Sequence, residues 1–547
     1  MTSPGGARSH DADVDVLVVG AGITGIYQLY RAREAGFSVL LLEAGGGVGG
    51  TWYWNRYPGA RFDSESYTYG YLFSKELFEE WEWQEHFAQQ PEIERYLSHV
   101  VERFDLRPHI RFGASVTAAV YDEQGARWAV TTGDGGRFGA RFLVAATGVL
   151  SVPHFPAIDG RERFRGEQYH TGRWPPEPVA FAGKHVAVVG TGSSGVQLVP
   201  VIAPEVASLT VYQRTPNWCT PLNNGPITPA EQADLRARFE AIRETLDTSP
   251  SGFLHAPHDR ATFEDSEEAR LAFYEQMWHS PGFSKLTSHY TDLLFDPAAN
   301  AEWCAFIAAK VRSIVEDPET AERLIPKDHR FGEHRPPFVT GYYEAFNLPH
   351  VSLVDAAETP VVRVTETGIE TADGVREFDV IVWATGFDFG TGALLRMGIQ
   401  GREGLALAEH WADGPRTFLG IQTAGFPNLF FPGGPHAAAG NNPRYNGDQV
   451  DFITSTLVFV RDHGAAAIEV TPEAEEEWTA MVDRGAARSP SFGERSYYFG
   501  SNVPGKPRKY LLNSAGRPKL FKEIAKVQAN GYAMFVLSGS PAPAGTR

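Results

Sequence analysis

Glycine occurs in this 547-residue chain at a spacing that suits phosphate binding. In DVLVVGAGITG, Asp15 to Gly25, a β-branched run is cut off by a turn carrying Gly20, Gly22 and Gly25. Glycine at these three GxGxxG positions allows a tight turn, lets a pyrophosphate approach bare backbone, and lets the next helix pack close on the strand. The helix start offers unpaired N–H groups and a positive dipole end to phosphate. Glu43 ends the following run, SVLLLE, where an acid can bond ribose hydroxyls. The same grammar returns in HVAVVGTGSSG, where Gly190, Gly192 and Gly195 fill the three positions. In that register Glu43 falls on Gln213, followed by Arg214 and Thr215. A glutamate there would repel a 2′-phosphate, whereas Arg214 can hold one by charge-assisted hydrogen bonds. The first unit therefore suits FAD and the second NADP(H), with Thr191, Ser193, Ser194, Gln197 and Thr215 expected around the second dinucleotide. An unliganded arginine at an exposed strand end is the plainer alternative for Arg214.

The elements that must hold these turns are legible as well. Asp15 to Val19 is the pattern of a buried parallel strand, Ile23 to Ala35 a helix ended by Gly36, and Ser38 to Glu43 a second strand, which together make a βαβ unit. FLVAATG (142–148) and FDVIVWATGF (378–387) are apolar strands stopped by Ala-Thr-Gly. Both suit strands returning to a Rossmann sheet where the chain crosses between nucleotide domains. The expected fold class is α/β, with two Rossmann-like dinucleotide-binding domains and a helical insertion. A discontinuous FAD domain is expected over 1–150 and 378–547, an NADP domain over 151–225 and 326–377, and the insertion over 226–325. Within the insertion, Thr228-Pro229-Ala230-Glu231 is a capping box with proline at the first helical position, and Asp317-Pro318-Glu319 repeats the start. Its acids suit a solvated face, nothing in it demands chemistry, and Trp278 and Trp303 are expected to be packing residues. The tail from Ser538 is expected to fray.

Composition narrows the function. The chain is 42% hydrophobic and 21% charged, which favours packed domains over disorder. A net charge of −18 makes nucleic acid an unsuitable partner. Cys219 and Cys304 cannot form a disulfide framework, and without a CxxC no dithiol redox site or common zinc module is expected, so no metal is assigned. A reducing cytoplasm is the expected compartment. No apolar run long enough to span a bilayer and no signal-peptide core is present, so no membrane span is expected.

Between the glycine units lies FRGEQYHTGRWP. Phe164, Gly166, His170, Thr171, Trp174 and Pro175 match every fixed position of the FxGxxxHTxxW(P/D) fingerprint, so the chain resembles the type I Baeyer–Villiger monooxygenases. A second signature of that family is met by Gly49, Gly50, Trp52, Tyr57, Pro58, Gly59 and Asp63. The resemblance implies that NADPH reduces FAD, that O2 adds to give a C4a-peroxyflavin, and that this attacks a ketone to yield an ester or lactone. It further implies that Arg335, in GEHRPPFVTGYYEAFN, is the active-site arginine that meets the developing negative charge, with Asp63 as its carboxylate partner and Trp52 near the cofactor. His170 and Trp174 are then expected to couple NADP binding to domain closure, and general-base chemistry at His170 is disfavoured for want of a placed partner.

Three departures from the family pattern carry expectations. His334 stands where lysine commonly precedes the arginine, so the NADPH preference is expected to fall as pH rises from 6 to 9, if His334 is partly charged near neutrality. Tyr497 stands where tryptophan commonly bonds the nicotinamide-side ribose. In GPHAAAGNNPR, Ala437, Ala438 and Ala439 leave room in the ketone pocket, which favours bulky cyclic or long-chain ketones; a flexible surface turn is the equal alternative. Rival functions are a flavin monooxygenase acting on nitrogen or sulfur and a dinucleotide-sensing redox protein.

Overall fold

The computed structural model describes residues 11–437, 440–487 and 496–539. Two parallel sheets carry the two glycine turns. In the first, Ala12–Val19 pairs in parallel with Val39–Leu42 on one side and Arg137–Ala145 on the other. Val16, Leu17 and Val18 are fully buried, as a strand covered on both faces requires. Helix Ile23–Glu34 crosses over between the first two strands. Beyond Arg137–Ala145 the sheet turns antiparallel through Arg127–Thr132 and Val116–Asp122. Short strands from late in the chain, Ile399–Gln400 and Leu429–Phe430, rejoin this sheet, so its unit is discontinuous in sequence.

The second sheet is wholly parallel, in the order Val351–Asp355, Ser208–Gln213, His185–Val189, Val380–Trp383, Glu167–His170. Val380–Trp383 corrects the expected boundary at 378, because it pairs between His185–Val189 and Glu167–His170 instead of joining the first sheet. Each Ala-Thr-Gly strand serves its own glycine turn. A Cβ on Gly20 would lie 2.6 Å from Ala146 O, and one on Gly190 would lie 2.5 Å from Ala384 O. The two units thus repeat the same contact at equivalent positions.

The stretch between Thr228 and Leu324 is helical as expected. Thr228 and Glu231 form the reciprocal capping box, and Asp317 caps Pro318–Leu324. Trp278 and Trp303 are buried in the core shared with the second sheet. The first two helices of this stretch lean the other way, with Leu235, Phe239, Ile242 and Leu246 packed on Leu72 and Phe78. Ser538 is ordered within strand Phe535–Ser538, which pairs with Ala467–Val470. The expected fraying does not begin there, and residues 540–547 of that tail lie outside the described residues.

Candidate active site

A cavity of about 1150 Å³ opens at the C-terminal end of the first sheet, where an open α/β sheet places its ligands. Its wall runs from Gly20, Gly22 and Glu43 past Trp52 to Arg335 and Tyr497. The glycine turns explain why a dinucleotide fits. Gly25 has no room for a side chain, since a Cβ would sit 1.8 Å from Gly20 O. At Gly22 the nearest atom would be Gly50 Cα at 3.5 Å, and at Gly192 nothing would lie within 4 Å. The outer glycines are thus fixed by the protein's own backbone. The middle ones face open space of the kind a pyrophosphate needs. Glu43 accepts hydrogen bonds from the N–H groups of Ala21 and Gly45, both at 2.7 Å, which holds its carboxylate at the cavity edge. Burial pushes its pKa up despite those donors.

The second signature lines the junction of the two units. A Cβ on Gly50 would strike Gly22 Cα at 2.7 Å, so this loop lies directly on the first turn. A Cβ on Gly59 would strike Gln197 O at 2.6 Å, where the loop meets helix Ser193–Ile202. The Gln197 amide is committed to this contact: it accepts from Tyr57 Oη at 2.7 Å and donates to Arg61 O at 3.0 Å. It ties the units together rather than reaching outward. Ser193 and Ser194 open the helix, and Thr191 closes the turn by donating to Thr215 O at 2.9 Å. Arg214 is exposed at the strand end and, among the described residues, forms no ion pair.

Residues 63 and 335, which no local pattern connects, form an ion pair. Asp63 is 5% exposed, whereas 30% of the Arg335 side chain remains open to the cavity, and its guanidinium lies 5.0 Å over the Phe283 ring. Burial opposes the charge on Arg335, but Asp63 outweighs it and holds the group above the ordinary arginine range. A cation so held can meet negative charge that develops in a dry site. Tyr497 and Tyr498 line the same wall, with ring centroids 4.5 Å apart, and Trp52 donates to Tyr69 Oη at 2.9 Å.

The fingerprint lies apart from this centre. His170 Nδ1 accepts from Gly172 N at 2.9 Å, so its proton sits on Nε2, 3.3 Å from His154 O. Burial pushes its pKa down to about 4, which leaves a neutral ring wedged between Phe155 and Phe387. Thr171 donates its N–H to Trp383 O, and Trp174 donates its N–H to Trp54 O, both at 3.1 Å. Phe164 packs in the second unit, and a Cβ on Gly166 would meet Asp379 O at 2.5 Å. One variable position of the fingerprint does reach the cavity: Arg173 lines it, with its guanidinium 4.4 Å over Trp54.

Two expectations change. Burial and the neighbouring His329 push His334 down to about 4, against the pull of Asp328, so it is neutral near pH 7 and not partly charged. The helical insertion does contribute to the site, because Phe253, Phe283, Leu286 and Thr287 line the cavity. Their irregular spacing gives no sequence signal. Ala437 is 3% exposed and lines the cavity, while Ala438 and Ala439 lie outside the described residues.

A family model described as pyridine nucleotide-disulphide oxidoreductase matches residues 17–246. The chain is 41% identical to a 2-oxo-Δ3-4,5,5-trimethylcyclopentenylacetyl-CoA monooxygenase of Pseudomonas putida, over 97% of this chain and 99% of that one. It is 34% identical to a Baeyer–Villiger monooxygenase of Pseudooceanicola batsensis, over 96% of each. Among solved structures, OTEMO in complex with FAD and NADP superposes with a TM-score of 0.93 at 42% identity, covering 97% of this chain and 100% of that one. An oxidised steroid monooxygenase bound to NADP superposes at 0.91 with 44% identity, covering 96% and 99%. Near-complete coverage at such identities, on a fold with both glycine turns in place, shows that the chain belongs to the Baeyer–Villiger monooxygenase family of FAD- and NADP-dependent flavoproteins.

Proposed function

We propose that this protein inserts one oxygen atom of O2 beside the carbonyl of a bulky cyclic or long-chain ketone, at the expense of NADPH, and releases an ester or lactone. When bound, FAD supplies the activation of dioxygen and NADPH the hydride. Gly20, Gly22 and Glu43 hold the first dinucleotide, and Gly190, Gly192 and Arg214 hold the second. The single observation that carries the reading is Arg335 in the cavity wall, paired with the buried Asp63 and with a guanidinium that stays charged at every working pH. Arg335 would stabilise negative charge that develops on oxygen in this part of the cavity. Asp63 fixes the guanidinium's direction. Phe253, Phe283 and Leu286 keep water from that face, which strengthens the electrostatics. A fixed cation favours attack by an anion on carbonyl carbon over oxygen transfer to nitrogen or sulfur.

The preference for bulk is supported by Ala437 in the wall and by relatives whose names specify a trimethylcyclopentenylacetyl-CoA and a steroid. Two unpaired cysteines, Cys219 and Cys304, suit a reducing cytoplasm, and among the described residues no helix is long and apolar enough to cross a membrane. Product analysis with cyclohexanone, a steroid ketone and an aryl sulfide tests the reading. Ester formation is expected, fastest with the steroid ketone. Sulfoxide as the sole product would overturn the activity, and a strong preference for cyclohexanone would overturn the substrate class.

A further inference from the structure

His255 stands at the centre of a hydrogen-bonded chain that the oxygen transfer does not consume. Its Nε2 bonds Glu65 Oε1, and its Nδ1 lies 2.7 Å from Thr287 Oγ1. Only 11% of the His255 side chain and 7% of Glu65 are exposed, so both contacts are shielded from water. From this imidazole two routes converge on Arg335. Through Glu65 it holds the loop carrying Asp63, the ion partner of Arg335, two residues away. Through its own ring it stacks on Phe253 at 5.6 Å; Phe253 stacks on Phe283 at 4.8 Å, and Phe283 lies under the Arg335 guanidinium. Thr287 belongs to the short helix Ser284–Thr287 that begins just after Phe283. The same region presses on the acid's backbone, for a Cβ on Gly282 would lie 2.7 Å from Asp63 O.

The hydrogen positions are constrained. Thr287 Oγ1 also lies 2.9 Å from Phe283 O, which can only accept. The hydroxyl therefore either donates to that carbonyl while accepting a hydrogen bond from Nδ1–H, or donates to Nδ1 itself. When the hydroxyl donates to Nδ1, the Nε2–H of the neutral ring faces Glu65, whose other oxygen is buried with no hydrogen-bond partner among the described residues. The order hydroxyl, imidazole, carboxylate is also that of an activated nucleophile. Here, however, the hydroxyl is tied to its own helix, and both ends of the chain anchor segments that touch Asp63 or Arg335. Directional bonds out of water make such a chain stiff.

We propose that Glu65, His255 and Thr287 are positioning residues that fix the Asp63–Arg335 pair against the cavity. The proposal rests on the role given to Arg335 above. Thr287→Val keeps the side chain's volume and removes the hydroxyl, whereas Thr287→Ser does the reverse, so the pair separates a hydrogen-bonding role from a packing role. In the full-length, FAD-loaded protein, Thr287→Val is expected to speed amide hydrogen exchange over residues 63–69 and 282–288 by about threefold or more. It should also lower ester formed per NADPH oxidised by about tenfold or more, since a small misplacement of a catalytic group is amplified in rate. FAD content and the rate of FAD reduction should match wild type, Thr287→Ser should restore both readouts, and Glu65→Leu, which removes the acceptor, should reproduce the Val result. Wild-type exchange in Thr287→Val, or equal damage from Ser and Val, would overturn the proposal. Absence of ester from wild type would instead sink the oxygen-transfer reading, and the exchange comparison would still decide the relay.

Discussion

Gly22→Ala separates folding from cofactor binding at the first turn. Gly22 caps helix Ile23–Glu34 with φ −78°, which alanine adopts without strain, and its new Cβ would meet nothing nearer than Gly50 Cα at 3.5 Å. The folded protein should lose about 1 kcal/mol or less, the scale of an unfavourable cap residue. The methyl group would instead fill space that the pyrophosphate needs. Forcing a methyl into a close contact costs about 1–3 kcal/mol, which weakens FAD binding by roughly 5- to 150-fold. Gly25→Ala is the control. Its Cβ would lie 1.8 Å from Gly20 O, so the helix must lift off the strand, at roughly 3 kcal/mol or more. Thermal melting of the apoproteins, with FAD bound per chain after desalting, distinguishes the two. Gly22→Ala should melt near wild type and come off the column poor in flavin, whereas Gly25→Ala should be destabilised outright. A Gly22→Ala protein that keeps its flavin like wild type, or that unfolds like Gly25→Ala, would refute the account of this turn.

Arg214→Ala should reduce the ratio of kcat/KM for NADPH over NADH by roughly 10- to 150-fold, the loss of a charge-assisted hydrogen bond worth about 1.5–3 kcal/mol; an unchanged ratio would return Arg214 to a bare strand end. Because His334 is held neutral with a pKa of about 4, that ratio in wild type should stay flat from pH 6 to 9 and change only toward pH 4, and a steady fall across the neutral range would contradict its burial. His436, 1% exposed and wedged between Thr417 Oγ1 and Tyr510 O, is pushed down to about 4 by burial. The unfolded chain takes up that proton first, so stability on the order of 3 kcal/mol is present above pH 6.5 and lost as pH falls toward 4. His436→Gln should flatten the pH dependence of denaturant midpoints over that window, and parallel curves for the two proteins would contradict this.

Much of the nucleotide scaffold was legible because its constraints are local. Gly25 and Gly195 are dictated by the backbone oxygens of Gly20 and Gly190 five residues earlier, and Thr228 and Asp317 announce helix starts through neighbours three residues away. The Asp63–Arg335 pair was reached only through family resemblance, since 272 positions separate its members. The boundary near 378 was misplaced because FDVIVWATGF is equally suited to either sheet, and only pairing with His185–Val189 decides between them. Phe253, Thr287 and His255 left no trace, because each comes from irregular or one-turn structure whose meaning is set by what packs against it. His334 was misjudged for a related reason: its residue type suggests a charge near neutrality, and burial beside His329 removes it.

The central claim is that Arg335 serves oxygen transfer and not cofactor loading or reduction. Arg335→Ala, purified with its flavin and mixed anaerobically with NADPH, then with O2 and a steroid ketone, tests this in one sequence. The account predicts bound and reducible FAD, oxygen consumed with hydrogen peroxide released, and ester formation down by about a hundredfold or more. Ester formed at a rate near that of wild type would contradict it.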